Sequence, residues 1–241
     1  MKIRIKFSKQ GNMKFIGHLD IMRFFQKVMR RADVDIRYSE GFSPHQIMSF
    51  AAPLGVGLTG SGEYLDIDVL STDSSAEMVR RMNAAMVEGM EILSYKKLPD
   101  NAENAMSLVA ACDYTVRMRD SYAKEMGMTD ASFFAGLVSF IEKGDLEITK
   151  KTKKGEKQMD LRPYIYEYAL TDGGEGIFLK LSSGSPANVK PELLLEAYCK
   201  SIEKEYPAFG FLINREEVYA DTGTETDHKF VTLESFGEEI E

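Results

Sequence analysis

The stretch KIRIKFSKQGNMKFIGHLDIMRFFQKVMRRA, residues 2–32, changes its hydrophobic period partway along. Over Lys2–Lys9, Ile3, Ile5 and Phe7 alternate with Lys2, Arg4 and Lys6, the period of a half-buried strand. From Asp20 to Ala32, Ile21, Phe24, Phe25, Val28 and Met29 recur at helical spacing. Asp20 is placed to accept a hydrogen bond from the first-turn N–H groups as an N-cap. A strand running into an amphipathic helix opens an α+β unit, and the chain continues accordingly. Asp35–Ser39 is extended and leads into Gly- and Pro-rich chain. Glu63–Leu70 alternates again, with Leu65, Ile67 and Val69 against Tyr64, Asp66 and Asp68. Ser74 or Ser75 caps a second helix running to Glu88, and Glu91–Lys97 is a last strand. The order is β-α-β-β-α-β, that of a ferredoxin-like unit.

After a polar, turn-rich linker at Pro99–Met106, the pattern recurs. Cys112–Met118 is a strand with Tyr114, Val116 and Met118 on one face. Asp130 or Ser132 opens a helix carrying Phe133, Phe134, Leu137, Val138, Phe140 and Ile141. Leu146–Lys150 and Tyr164–Leu170 are strand-like on either side of a basic insert, and Gly176–Leu181 is the next strand. Pro191–Glu203 is a helix with proline at its first position, where the missing N–H costs nothing. Phe211–Ala220 closes the unit. The expected fold class is therefore α+β, with two tandem ferredoxin-like (β-α-β-β-α-β) units. They span residues 1–98 and 107–221, followed by an acidic C-terminal tail at 222–241 whose last residues are expected to be poorly ordered. One continuous α+β sandwich with the same elements is the alternative.

The chain of 241 residues is long enough for such cores, with ordinary hydrophobic (44%) and charged (28%) fractions. No apolar run reaches the ~20 residues of a membrane span, and the N-terminus lacks the apolar core of a secretory signal. A cytoplasmic protein with no membrane partner is expected. Cys112 and Cys199 stand far apart among apolar neighbours, which suits core residues rather than a disulfide framework or a cluster. Net charge is −8 but uneven. Residues 1–50 carry ten Lys/Arg against four Asp/Glu, and residues 216–241 carry nine Asp/Glu against one Lys. Such a balance argues against indiscriminate nucleic-acid binding and leaves room for a local basic site.

Candidates for that site fall in two places. On the first helix Arg23, Lys27 and Arg30 form a stripe, with Arg31 beside them and Arg37 beyond, opposite the Phe24, Phe25 and Val28 face. Such a stripe suits either a solvated helix face or a set of phosphate contacts. The insert KKTKKGEKQMDLRPYI at 150–165 supplies Lys150, Lys151, Lys153, Lys154, Lys157 and Arg162 around Gly155. It suits either a solubilising hairpin tip or a phosphate grip. The cations of the first strand have another account. If the first and third strands are neighbours, Lys2, Arg4 and Lys6 meet Asp66 and Asp68 across the sheet. That face also lacks the paired stacking aromatics of an RNA-recognition sheet.

His18 and His45 are weak catalytic candidates, as a general base on a ribose hydroxyl, and either could equally donate a hydrogen bond to a phosphate or to a backbone carbonyl in a tight turn. A His18–Asp20–His45 metal site is open by ligand type, but residues two apart on a helix face away from each other, and no metal is expected. Gly55-x-Gly57-x-x-Gly60 matches a dinucleotide fingerprint in spacing only, since a strand follows instead of a helix. No cofactor is expected.

FIGHLDIMRFFQKVMRRADVDIRYSEGFSPHQIMSFAAPLGVG (15–57), SGEYLDIDV (61–69), MDLRPYI (159–165) and NVKPELLLEAY (188–198) are spread over a range, 15–198, that takes in most of the chain. In these blocks the chain resembles the radical-SAM-linked protein family, a bacterial domain of unknown function. The resemblance implies association with a radical SAM enzyme. The chain has no C-x-x-x-C-x-x-C motif of its own. The tandem arrangement also resembles RNA-processing and RNA-modifying enzymes in fold alone. The expected function is a non-catalytic accessory module that binds a structured RNA, tRNA or rRNA, and presents it to that enzyme. The alternatives are a metal-independent RNA-processing enzyme with a histidine base, and a protein-interaction scaffold without nucleic acid that binds its partner through loop aromatics such as Phe42 and Phe50.

Overall fold

The structure, a computed structural model, describes residues 1–119, 122–143, 145–152, 155–184, 187–224 and 226–241; for 150–152 and 155–157 only the backbone is described. It is a mixed α+β chain with mostly antiparallel strand pairing and, among the described residues, six helices. In chain order these are β1 (Lys2–Lys9), α1 (His18–Arg31), β2 (Met48–Phe50), β3 (Thr59–Asp68), α2 (Ser75–Ala84), β4 (Met90–Lys97), α3 (Ala105–Leu108) and β5 (Val109–Met118). There follow α4 (Tyr122–Glu125), α5 (Asp130–Lys143), β6 (Glu147–Thr152), β7 (Gly155–Asp160), β8 (Ile165–Leu170), β9 (Gly176–Ser182), α6 (Pro191–Ser201), β10 (Phe211–Asp221) and β11 (Phe230–Thr232). The chain divides into unit 1, residues Met1–Ala111 with Arg215–Glu241, and unit 2, Cys112–Asn214. It enters unit 2 along β5 and leaves along β10.

In unit 1 the strands run β4-β1-β3, with β2 paired to β3 and β11 paired to β10. The β1–β3 register sets Lys2 opposite Asp68, Arg4 opposite Asp66 and Lys6 opposite Tyr64. Alternation then sends Ile3, Ile5 and Phe7 to one face, where they are buried with Leu65, Ile67 and Ile92. Helix α1 closes that core through Ile21, Phe25, Val28 and Met29, and α2 through Met78 and Met82. Phe7, Phe25 and Phe50 meet edge-on, with ring centroids 4.8 to 5.9 Å apart.

Two local expectations shift. Helix α1 starts at His18, with Gly17 in the N-cap position and no side-chain cap, so Asp20 lies inside the first turn and pairs with Arg23 at 3.1 Å. The second strand is Met48–Phe50 rather than Asp35–Ser39, because it is the later segment whose register matches β3. Ile36 and Tyr38 make only isolated bridges, to Val69 and Gln46. Ser74 caps α2, its Oγ accepting the Glu77 N–H at 3.3 Å.

In unit 2 the order is β5-β9-β8, with β6 and β7 a separate two-stranded hairpin. Tyr114, Val116 and Met118 of β5 are buried, as are Phe133, Phe134 and Leu137 of α5 and Leu194, Leu195 and Tyr198 of α6. Cys112 and Cys199 are buried free thiols, and burial with the nearby Glu196 pushes the Cys199 thiol up to about 11. The C-terminal residues, expected to be loose, are hydrogen-bonded into unit 1. Lys97 and Glu238 exchange backbone bonds at 2.9 Å, and Ser75 N–H donates to the Ile240 carbonyl at 2.9 Å.

Candidate nucleic-acid interface

The ten basic residues of the first fifty sort into those the fold uses and those it leaves exposed. On β1 every cation is used. Lys2 Nζ donates to the Ala102 carbonyl at 2.7 Å. The Arg4 guanidinium, 1% exposed, grips Asp66 through two bonds of 2.8 and 2.9 Å and also donates to the carbonyls of Leu233 and Glu103. Asp66 accepts in addition the Ala105 N–H at 2.8 Å. Lys6 Nζ bridges the carboxylates of Glu217 and Glu234, each at 2.7 Å. Burial alone lowers its pKa, but hydrogen bonds to the two carboxylates outweigh that and hold it above the ordinary lysine value. Tyr64 Oη donates to Glu217 at 2.7 Å, and burial first and the Glu217 charge second push that phenol far above its usual range. Lys9 is buried and donates to the Ile16 carbonyl at 3.1 Å, and burial lowers its pKa.

These bonds cover the outer face of unit 1's sheet with its own residues 101–105 and 233–234. That face offers no stacking platform: Tyr64 is 1% exposed. A second buried pair, Arg215 with Glu63, ties β10 to β3, and Arg215 also donates to the Ala52 carbonyl. The partners lie 152 residues apart, so sequence spacing carried no sign of the pair.

Lys14, in the turn before α1, has its Nζ 5.2 Å from the centre of the Phe15 ring; the other five cations lie on and after α1. Arg23, Lys27, Arg30, Arg31 and Arg37 are exposed. Arg23 pairs with Asp20, whereas Lys27, Arg30, Arg31 and Arg37 have no side-chain partner among the described residues. The end of α1 is rigidly made. The Val34 N–H reaches back to the Met29 carbonyl at 2.9 Å and the Asp33 N–H to Arg30 at 3.4 Å, with Asp33 at φ 52. This is a Schellman closure with aspartate where glycine is usual. Arg81 of α2 caps the same end, its guanidinium donating to the carbonyls of Ala32 (2.5 and 2.9 Å) and Asp33 (2.5 Å). Arg30 and Arg31 therefore project from a fixed helix end.

The chain then folds back on itself over Arg37–Ile47. The Ile47 N–H donates to the Arg37 carbonyl at 2.9 Å, and the Ser39 N–H to His45 at 2.8 Å. Ser39 Oγ shares a 2.8 Å hydrogen bond with His45 Nδ1. Buried Gln46 ties the loop to the helix, donating to the Gln26 carbonyl at 3.4 Å. Phe42 at the tip is fully exposed, and Tyr38 is 48% exposed. The two loop aromatics that the scaffold reading offers to a partner protein differ here: Phe42 stands in solvent, whereas Phe50 is buried against Phe7 and Phe25.

The other candidates are placed as follows. His18 is half-buried at the start of α1, its ring edge-on to Phe50 at 5.1 Å, and His45 serves the exposed loop closure. Both stand in unit 1. Arg162 in unit 2 donates to the Ile141 carbonyl at 2.7 Å and so caps the end of α5. Lys153 and Lys154 lie outside the described residues, as do the side chains of Lys150, Lys151 and Lys157. Unit 2 has a cleft lined by Phe140, Asp145, Glu147, Leu193, Glu196 and Lys200, whose three acids oppose an anionic ligand. Among the described residues no group of three or more His, Cys, Asp or Glu is placed to hold a metal ion, and no helix is long and apolar enough to cross a membrane.

A search of curated proteins gave no match to this chain. The family model described as "Uncharacterized protein conserved in bacteria (DUF2344)" matches residues 2–191, from the start of β1 to the first residue of α6. With most of its length matched, including the basic helix and its loop, the chain belongs to this bacterial family.

Proposed function

We propose that this chain is a non-catalytic accessory module that binds a structured RNA, tRNA or rRNA, through α1 and the Arg37–Ile47 loop and presents it to a partner radical SAM enzyme. One observation carries the RNA half. Lys27, Arg30, Arg31 and Arg37 are exposed and unpartnered in a chain of net charge −8 whose β1 cations all have acceptors. Unpaired arginines beside one another are suited to phosphate oxygens, and displaced counterions favour the complex. The enzyme half rests on the sequence resemblance alone, and a cytoplasmic site of action goes with it.

The finer fold reading, two tandem ferredoxin-like units, belongs to the same proposal. It is supported by the element order β1-α1-β2-β3-α2-β4 in unit 1 and by β5-α5-β8-β9-α6 leading into β10, with the β6–β7 hairpin inserted. Two measurements test the function. Fluorescence anisotropy with labelled bulk small RNA at low salt is expected to show binding. Affinity purification of the tagged chain from its own cells is expected to bring down RNA together with an iron–sulfur radical enzyme. Absence of both would end the proposal, and RNA without the enzyme would end its second half.

A further inference from the structure

We infer that the Phe42 loop is a stacking post for an unpaired nucleobase, with the cations that hold phosphates at the base of the loop and on the helix behind it. This rests on the RNA reading above and names the form of RNA the site takes. The first observation is exposure: Phe42 is the most exposed of the large hydrophobic residues described, at a position where any polar side chain would serve the fold as well. The second is order. A bare phenylalanine on a slack loop would fold back onto apolar surface, but this loop is closed by bonds between Ser39 and His45 and by the Tyr38–Gln46 bridge. Gly41, at φ +108, makes the turn that presents the ring, in a conformation L side chains rarely adopt.

The third observation is the distribution of charge. Arg37 stands at the base of the loop and Lys27, Arg30 and Arg31 on the helix to which Gln46 fastens it. The tip itself has no cation and one carboxylate, Glu40. A phosphate is therefore favoured at the base and disfavoured at the tip. The ligand that suits this arrangement offers anions to the base and a flat apolar face to the tip, which describes a nucleic-acid strand. In an A-form duplex the base faces are already stacked, so the ring can meet only a base in a loop, bulge or single-stranded end. Phenylalanine has no hydrogen-bonding group, so the contact tolerates any base.

The chain contains no tryptophan, so Phe42→Trp places a single reporter at the tip. Its emission is expected to be quenched on titration with a short oligouridylate and to stay unchanged with inorganic polyphosphate, which occupies the cations alone. Phe42→Ala is expected to weaken oligouridylate binding by about 5- to 150-fold, the range of one base–aromatic stack, with less than about a twofold effect on a blunt duplex of equal length. Phe42→Tyr should retain native affinity, and an unchanged melting temperature would establish that the alanine variant is folded. If oligouridylate binds by anisotropy while the tryptophan emission and the Phe42→Ala affinity stay at their native values, stacking is refuted and the RNA reading stands. Quenching by a copurified partner protein, with none by RNA, would make the tip a protein contact and overturn the inference. If no RNA binds at low salt, both readings fall together.

Discussion

Two sets of cations in the first 37 residues end differently. Lys2, Arg4, Lys6 and Lys9 on β1 point into carboxylates and carbonyls, and Arg4 and Lys9 are almost wholly buried. Lys27, Arg30, Arg31 and Arg37 are exposed and have no side-chain partner among the described residues. Each set carries four positive charges. The β1 set has Asp66 across the sheet and Glu217 and Glu234 brought from the far end of the chain, whereas the α1 set has a helix face with no acid aimed at it. Charge density along a sequence therefore marks where cations are, and only partner geometry tells which are free to bind something else.

The contrast predicts opposite responses to mutation. The largest effect is expected inside. Arg215→Met or Arg4→Met strands a carboxylate, Glu63 or Asp66, in a largely water-excluded site, and breaking such a pair costs about 3–5 kcal/mol. Urea unfolding should show the midpoint falling with little change in slope. Outside, Arg30→Glu with Arg31→Glu should cost only the helix-dipole term, ~0.3–1 kcal/mol for each residue, while RNA affinity drops steeply. A double variant that unfolds like Arg215→Met would erase the distinction between the sets.

A subtler test uses pH. Burial raises the Glu234 pKa, but its hydrogen bonds and charge interaction with Lys6 outweigh this and hold it below the ordinary carboxylate value. The stability it adds is present above the unfolded-state carboxylate pKa and is lost as pH falls through the lower folded one. Lys6 has the opposite sign: its raised pKa adds stability below the unfolded lysine value, lost as pH rises through the folded one. Glu234→Gln should flatten stability at both ends of the pH range, as followed by thermal melts. The smallest effect is expected at Asp33, which holds φ 52 at the close of α1. Asp33→Gly should stabilise the fold by up to about 1 kcal/mol, raising the melting temperature by a few degrees, and leave RNA affinity near native.

Local pattern carried most of the element order. Alternation located β1 and β3, helical spacing located α1 and α5, and Pro191 marked the start of α6 to the residue. Even the pairing of Arg4 with Asp66 followed from strand neighbourhood and alternation. What escaped depends on distant chain. Glu217, Glu234 and Arg215 join the first strands across more than 150 residues, and an acidic C-terminus resembles solvated tail whether or not a lysine waits for it. The start of α1 escaped for a different reason. Asp20 is an equally good first-turn residue and N-cap, and the fold took Gly17 instead. Of the candidate site, residue type and helix face were legible, but which cations were spent and which aromatic stood free were not.

The most direct test of the central claim is the salt dependence of RNA binding, native chain against Arg30→Glu/Arg31→Glu. Each phosphate contact adds about 0.7–0.9 to the slope of log affinity against log salt. The account predicts a steep native slope that loses about 1.5 or more in the double variant, with melting temperature nearly unchanged. A slope identical in the two proteins, or no binding by either at low salt, would contradict it.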